Sequence, residues 1–265
     1  MSSSNRMPVL FVSHGSPEIA VRETAAHNFL RELGRELPRP SAILVASAHW
    51  ETDAVTVATT QTPATIYDFG SRFDRRLWDI DYAAPVATGI ATRAHDLLAA
   101  EFGDQVETND EVGRDHGVWT PLHLIFPAAD IPLAQVAIQP DKSPAHHIAL
   151  GKALAPLRDE GVLILASGAL THNLSEFRGR DVNAPAEAWV TEFADWMAET
   201  LSSGNHEALQ TYRAQAPYAE RNHPEDEHLY PVFVAAGAAG PNAMVTRLHN
   251  SIQHGVLAMD AYRFD

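Results

Sequence analysis

The sequence predicts one α/β domain with a central, mostly parallel or mixed sheet and helices on both faces of that sheet. Three observations lead to this prediction. Short apolar runs alternate with segments that have apolar residues at helical spacing, which is typical of a sheet covered by helices. A length of 265 residues fits one α/β unit. No repeat, low-complexity block or linker divides the chain, so we expect a single domain over 1–265, with a flexible tail at 1–6.

The first half of the chain is assigned from apolar runs, helical periodicity and breakers. The helix that follows the first strand is marked by apolar spacing from Ile19 to Leu37 and by the breaker Pro38. In order, we expect a strand over 8–13, a helix over 18–37, strands over 42–48 and 54–59, an irregular aromatic-rich segment over 60–85, a helix over 86–102 and a strand near 105–108.

The second half continues the alternation. The run GVLILAS is a strong strand signal, and Trp189, Phe193 and Trp196 mark one face of a later helix. In order, we expect a polar loop over 109–119, a short helix over 121–126, a strand over 132–138, a helix over 144–160, a strand over 161–167, helices over 184–203, 206–214 and 231–239, and two closing strands.

Composition limits the chemistry that the chain can perform. The 19 basic and 34 acidic residues give a formal charge of −15, which argues against a nucleic-acid partner. With no cysteine, the chain excludes disulfides, thiolate metal sites and thiol nucleophiles, so a metal must be held by His, Asp or Glu. The chain start lacks the apolar core of a signal peptide, and no 18-residue apolar stretch is present. We expect a cytoplasmic protein without a membrane partner.

Histidine is abundant, at 14 residues, and five histidines lie in stretches that suggest a site. Ligands of open α/β sheets bind beyond the carboxyl ends of the strands. Imidazole is a good ligand for iron, zinc and similar ions, and the similar contexts of the first two histidines indicate a metal site. The five are His14 (SHGSP), His49 (SAHW), His116 (GRDHGVW), His172 (SGALTHNL) and His228 (PEDEHLYP).

Structural roles are the alternatives for these histidines. A single histidine near a strand end is more often a hydrogen-bonded structural residue, His116 could be a loop residue held by Asp115, and His228 could cap a helix or face solvent. The acidic cluster at 225–227 could give a carboxylate to a metal or form a solvated helix start. The sequence has no nucleophile elbow, P-loop, dinucleotide fingerprint or H-E-x-x-H pattern.

Taken together, the motifs resemble those of a known family. HGSP, SAHW, DHGVW, SG-x₃-HN and EH-x₂-P occur in the order seen in class III extradiol ring-cleavage dioxygenases, and they are most similar to the DOPA 4,5-dioxygenase-type branch. The stretches TPATIYDFG and IP-x₂-Q also resemble that branch. The resemblance runs from about Pro8 to Leu257, and the ordered set is more specific than any one motif.

The resemblance implies a mononuclear non-haem Fe(II) enzyme, in which zinc is also able to occupy the site of the purified protein. His14 and His49 match two metal ligands, and His228 matches the third, where the protocatechuate branch has a glutamate. His172 matches an acid/base histidine and is a possible further ligand for zinc. His116 matches a histidine that faces substrate and oxygen. The implied reaction opens a DOPA-like or related catechol with O₂ and gives a muconic semialdehyde.

Two departures from the family pattern concern the substrate. The chain has YAAPV where typical members have a YPAPG-like stretch, and SRFD where they have a GGFP-like stretch, so the substrate need not be DOPA. Tyr67 and Trp119 are candidates to line an aromatic pocket, with buried packing as the alternative. We expect a monomer or a small homo-oligomer.

Two other functions use the same residues. A zinc-dependent metallohydrolase would employ the same ligands to activate water. A tetrapyrrole metal chelatase would explain HGS at an early strand end, but it would require a porphyrin-sized cleft and would leave SAHW and DHGVW unexplained.

Overall fold

The computed structural model describes residues 6–265 and shows one α/β domain, which confirms the predicted fold class. Of the predicted tail, only the exposed Arg6 lies within the described residues. The strands are β1 (Val9–Ser13), β2 (Ala42–Glu51), β3 (Thr56–Ala58), β4 (Glu107–Asn109), β5 (Leu133–Ile138), β6 (Val162–Gly168), β7 (Val245–His249), β8 (Ile252–Gln253), β9 (Leu257–Ala258) and β10 (Ala261–Phe264). The α-helices are α1 (Ala25–Glu36), α2 (Thr88–Phe102), α3 (His116–Ile125), α4 (Pro144–Leu154), α5 (Leu174–Phe177), α6 (Ala188–Ser202), α7 (His206–Gln210), α8 (Tyr212–Gln215), α9 (Ala219–Asn222) and α10 (Tyr230–Ala239).

Eight strands form one mixed sheet in the order β4-β3-β5-β2-β6-β1-β10-β7. The central strands β5, β2, β6 and β1 are parallel to one another. Strand β3 pairs with β5 in the antiparallel direction on one side, and β10 and β7 add an antiparallel edge on the other. Strands β8 and β9 form a separate antiparallel pair. Every residue of β1, β5 and β6 is buried, so both faces of the sheet are covered. This explains why these strands have continuous apolar sequences.

The helices pack on this sheet in two main groups. Helix α10 contacts β6 and β1 and packs against α4, while α3 contacts β2 and β6 and packs against α1. Helix α10 is apolar around its whole circumference and is buried from Tyr230 to Ala238, as expected of a helix enclosed by other elements. Within residues 6–265, no helix has both the length and the apolarity needed to cross a membrane.

Two helix predictions in the first half need correction. The predicted helix over 18–37 is divided into a 3-10 helix at Pro17–Ala20 and α1, because the Thr24 hydroxyl accepts a hydrogen bond from the His27 backbone N–H at 3.2 Å and starts a new helix. The predicted start of the next short helix at residue 121 is wrong. Helix α3 begins at His116, where Asp115 accepts a hydrogen bond from the Val118 N–H at 3.2 Å.

The last third contains more elements than predicted. Two short helices, α5 and α9, fall where no helix was expected, and the predicted helix over 206–214 is divided into α7 and α8. Four strands, β7 to β10, replace the two closing strands of the prediction. Helices of one turn and strands of two residues are too short to show a period in sequence.

The fold brings three of the singled-out histidines to one edge of the sheet. Because β1, β2 and β6 are mutually parallel, their carboxyl ends meet there. His14 directly follows β1, and His172 lies in the loop after β6. His49 lies within β2, which extends to Glu51 instead of ending at residue 48, and the pairing of β2 with β5 is irregular at this point.

Candidate active site

His14, His49 and His228 converge at the carboxyl edge of the sheet. The Nε2 atom of His49 lies 3.1 Å from Nε2 of His14 and 3.3 Å from Nε2 of His228. The His14 and His228 side chains are buried, whereas His49 is partly exposed toward a cavity. The three residues form a group that could hold one metal ion.

The tautomer of His14 follows from a proline in α3. Pro121 has no N–H to offer the Gly117 carbonyl one turn earlier, and that carbonyl accepts the Ser167 hydroxyl proton instead. Ser167 has no second proton, so its Oγ can only accept from Nδ1 of His14, 3.0 Å away. His14 therefore carries its proton on Nδ1 and presents a free lone pair on Nε2 to the other histidines.

A carboxylate orients His228 in the same way. Nδ1 of His228 donates to Oε1 of Glu227 at 2.7 Å, which leaves Nε2 proton-free. The segment around His228 lies against the end of β6, where the His228 carbonyl accepts a hydrogen bond from the Ala169 N–H at 2.8 Å. Only glycine fits beside it, because a Cβ at Gly168 would lie 2.2 Å from that carbonyl oxygen.

Burial keeps the three imidazoles neutral. Burial and then the neighbouring His49 hold the pKa of His14 well below its usual value. Burial and then His116 lower the pKa of His49 to about 3, and burial and then His172 hold the pKa of His228 well below its usual value. Neutral imidazole is the form that binds metal ions.

The spacing of the three nitrogens fits a single metal ion. Imidazole nitrogens at about 2.0–2.1 Å from one ion lie about 2.8–3.4 Å apart when neighbouring ligands subtend octahedral to tetrahedral angles. The observed separations of 3.1 and 3.3 Å fall in this range. A nitrogen donor set of this kind suits iron, zinc and related ions.

His116 lies beside these ligand candidates and is held by a carboxylate that the sequence did not single out. Its ring centroid is 3.9 Å from that of His49. Asp68 accepts two hydrogen bonds from His116, one from the backbone N–H at 3.1 Å and one from the ring Nδ1 at 2.9 Å. Nε2 of His116 is therefore free to accept a proton. Although burial acts to raise it, the hydrogen bond from His116 holds the pKa of Asp68 below its usual value.

His172 stacks on His228 instead of joining the three converging nitrogens. The two ring centroids are 3.5 Å apart, with an interplanar angle of 15°. His172 forms a separate group with Glu227 and His228, in which its Nδ1 lies 3.8 Å from Oε1 of Glu227. Burial and then His223 lower the pKa of His172 to about 3, so this ring is also neutral near pH 7.

All five singled-out histidines line one cavity of about 290 Å³. This volume is at the low end for small-molecule sites, which span about 300–1,000 Å³, and it does not provide the porphyrin-sized cleft that a chelatase requires. Much of the remaining wall is apolar, and its side chains were not predicted from the sequence because they share no common motif. They are Phe69, Phe73, Leu174, Phe177, Leu257 and Met259.

Tyr67 and Trp119 lie behind this wall and are not among the residues that line the cavity. The Tyr67 hydroxyl donates to the Ile80 carbonyl at 2.9 Å, and the Trp119 indole N–H donates to the Ile66 carbonyl at 3.0 Å. Each ring centroid lies 6.2 Å from that of Phe69, which does line the cavity. Both residues thus support the wall from behind.

The chain is similar to known dioxygenases along almost its whole length. The family described as the catalytic LigB subunit of aromatic ring-opening dioxygenase matches residues 7–261. A 4,5-DOPA dioxygenase extradiol of Beta vulgaris is 40% identical over 99% of this chain and 98% of its own length, and that of Escherichia coli strain K12 is 36% identical over 97% and 94%. The crystal structure of an uncharacterized Escherichia coli K12 protein superposes with a TM-score of 0.81 at 31% identity, over 98% of this chain and 100% of that one.

These similarities do not favour a metallohydrolase or a chelatase. They extend over the segments that supply the clustered histidines and the cavity wall. The chain therefore belongs to the LigB family of extradiol ring-cleaving dioxygenases.

Proposed function

We propose that the enzyme opens a catechol-type aromatic with O₂, using Fe(II) held by His14, His49 and His228. The observation that carries this proposal is the convergence of three Nε2 atoms on one side of a small cavity. When bound, the metal would supply the positions at which the two catechol oxygens and dioxygen come together. Both oxygen atoms enter the product, a muconic semialdehyde, so no external reductant is needed.

His172 and His116 are proposed to move the protons. A catechol hydroxyl must lose a proton as it enters the site, and a proton must be returned when the ring opens. His172 is neutral near pH 7 and can accept a proton, and its low pKa makes the protonated ring a ready donor. His116 is the second candidate for proton transfer, through its Nε2, because the Asp68 carboxylate facing Nδ1 stabilises the imidazolium that forms.

The apolar wall is proposed to hold the aromatic ring and to exclude water. Phe69 and Phe73 are partly buried side chains packed against the core, so they offer flat apolar surface to a bound ring. Tyr67 and Trp119 fix Phe69 from behind, which would make the position of this wall reproducible from one turnover to the next.

An oxygen electrode tests this function. The protein is loaded with Fe(II) under anaerobic conditions, mixed with a panel of catechols, and followed for O₂ uptake and for the yellow colour of a ring-opened product. His49→Ala should lose both stoichiometric iron and O₂ uptake, because Nε2 of His49 joins the other two nitrogens. Turnover that requires zinc and consumes no O₂ would show that the function is wrong.

A further inference from the structure

We infer that the catechol accepted by this site has an uncharged, apolar substituent, such as an alkyl or aryl group, in place of the charged side chain of DOPA. This inference rests on the proposed function, since it takes the catechol as the reacting part. Among the described residues that line the cavity, none is lysine or arginine. A substrate carboxylate would therefore find no cation in the wall.

Two hydroxyl groups of the wall form hydrogen bonds within the protein. The Ser13 hydroxyl oxygen accepts from the Leu170 N–H at 3.1 Å. The Thr171 hydroxyl donates to the Val256 carbonyl at 2.8 Å and accepts from the Ala258 N–H at 2.8 Å. Neither side chain can replace a counter-ion for a buried charge, and leaving such a charge unpaired is costly.

The electrostatic field also disfavours an anion. Asp68 is the one acidic side chain among the described lining residues, and its carboxylate is engaged by His116. Its negative charge would repel a substrate carboxylate. The formal charge of −15 for the chain acts in the same direction on anionic substrates.

The position of Leu174 indicates where the substituent lies. Leu174 lines the cavity, yet 53% of its surface is exposed, so it stands at the mouth. Phe177, one turn further along α5, lines the same cavity. An apolar group that projects from the ring toward this mouth would cover both side chains, which makes Leu174 a residue that determines specificity.

A matched pair of substrates isolates the effect of charge. Dihydrocaffeate and its methyl ester have the same ring and the same chain, and they differ in the carboxylate. We expect kcat/KM of the Fe(II)-loaded wild-type enzyme to be at least about tenfold higher for the ester, because the acid must bury a charge without a partner. O₂ uptake with both compounds is measured side by side, with methylcatechol as an uncharged reference.

Two variants at the cavity mouth sharpen the test. Leu174→Arg should lower the ester-to-acid ratio about tenfold by supplying a guanidinium, whereas Leu174→Gln, which is polar but uncharged, should not raise activity on the acid. Because Leu174 is half exposed, both variants are expected to fold, and thermal melts verify this.

The possible failures are distinguishable. A wild-type preference for the acid or for DOPA, above all one that is lost in Arg178→Gln beside Phe177, would overturn the inference and leave the dioxygenase function intact. Absence of O₂ uptake with the acid, the ester and methylcatechol would instead contradict the proposed function, and the inference would fall with it.

Discussion

Glu227 offers the sharpest test of how the proposed metal site is held. Its Oε1 accepts a hydrogen bond from Nδ1 of His228 at 2.7 Å, and its side chain is only 14% exposed. A carboxylate in this position fixes the ring orientation and tautomer and makes the opposite nitrogen more basic. Removing it should therefore weaken metal binding even though Glu227 is not itself proposed as a ligand.

The size of the effect follows from what each substitution removes. Hydrogen-bond partners of metal-ligating histidines change metal affinity about 10–100-fold, which equals about 1.4–2.8 kcal/mol. Glu227→Gln keeps an oxygen that can accept from Nδ1 but loses the charge, so we expect about tenfold weaker binding. Glu227→Ala loses both the accepting oxygen and the charge, so we expect about 100-fold weaker metal binding. Ser167→Ala is the matched control at His14, where the partner at 3.0 Å is a neutral hydroxyl, and should cost no more than about tenfold.

The assay is an anaerobic competition for Fe(II) with a chelator of known affinity at neutral pH, repeated with zinc. Circular dichroism melts show whether each variant is folded. Equal affinity in wild type and Glu227→Ala would refute the reasoning, as would a larger loss in Ser167→Ala than in Glu227→Ala.

Three further predictions concern proton transfer and stability. His172→Ala should keep most of the iron but lower kcat by about 100-fold or more, and a wild-type kcat would exclude its acid/base role. Asp68→Asn should keep iron and lower kcat more than it changes KM, because the amide cannot stabilise a His116 imidazolium; unchanged kcat in steady-state assays would contradict this. Burial lowers the pKa of His147 to about 3, below the value of about 6.5 in the unfolded chain, so protonation favours unfolding as the pH falls below 6.5. The native protein should lose about 1 kcal/mol between pH 6.5 and 5.5 through this residue, and urea titrations of His147→Gln should show a correspondingly smaller loss.

The strand-end histidines were accessible from sequence because two simple rules apply to them. Continuous apolar runs predict buried parallel strands, and parallel strands place their carboxyl ends at one edge. Applied to β1 and β2, these rules predict that His14 and His49 meet, and their Nε2 atoms lie 3.1 Å apart. The role of His228 as the third ligand came from the family resemblance, since no period in the sequence places it beside the other two.

The start of α3 shows why other parts were not predictable. The predicted helix starts at Pro121, and proline is common in the first turn of a helix. The N-cap Asp115 begins the helix earlier. The fold tolerates Pro121 because the Ser167 hydroxyl donates a hydrogen bond to the Gly117 carbonyl, which proline leaves without a donor. Ser167 is distant in sequence, so no local signal could reveal this exchange.

The partners of the histidines and the cavity wall were missed for a related reason. Asp68 lies in an irregular segment, where no period shows which way a side chain points, and its contact with His116 spans 48 positions. The same segment holds Tyr67 and Phe69, of which only Phe69 lines the cavity. Aromatic content predicted an apolar pocket nearby but could not tell the lining ring from the ring behind it.

The proposed reaction inserts both atoms of O₂ into a catechol at the site formed by His14, His49 and His228. Mass spectrometry of the product made by the Fe(II)-loaded enzyme under isotope-labelled O₂ tests it most directly. We predict a ring-opened semialdehyde that carries both labelled atoms, and no such product from His14→Ala. A product that carries no label, or an intact ring oxidised to a quinone, would contradict the claim.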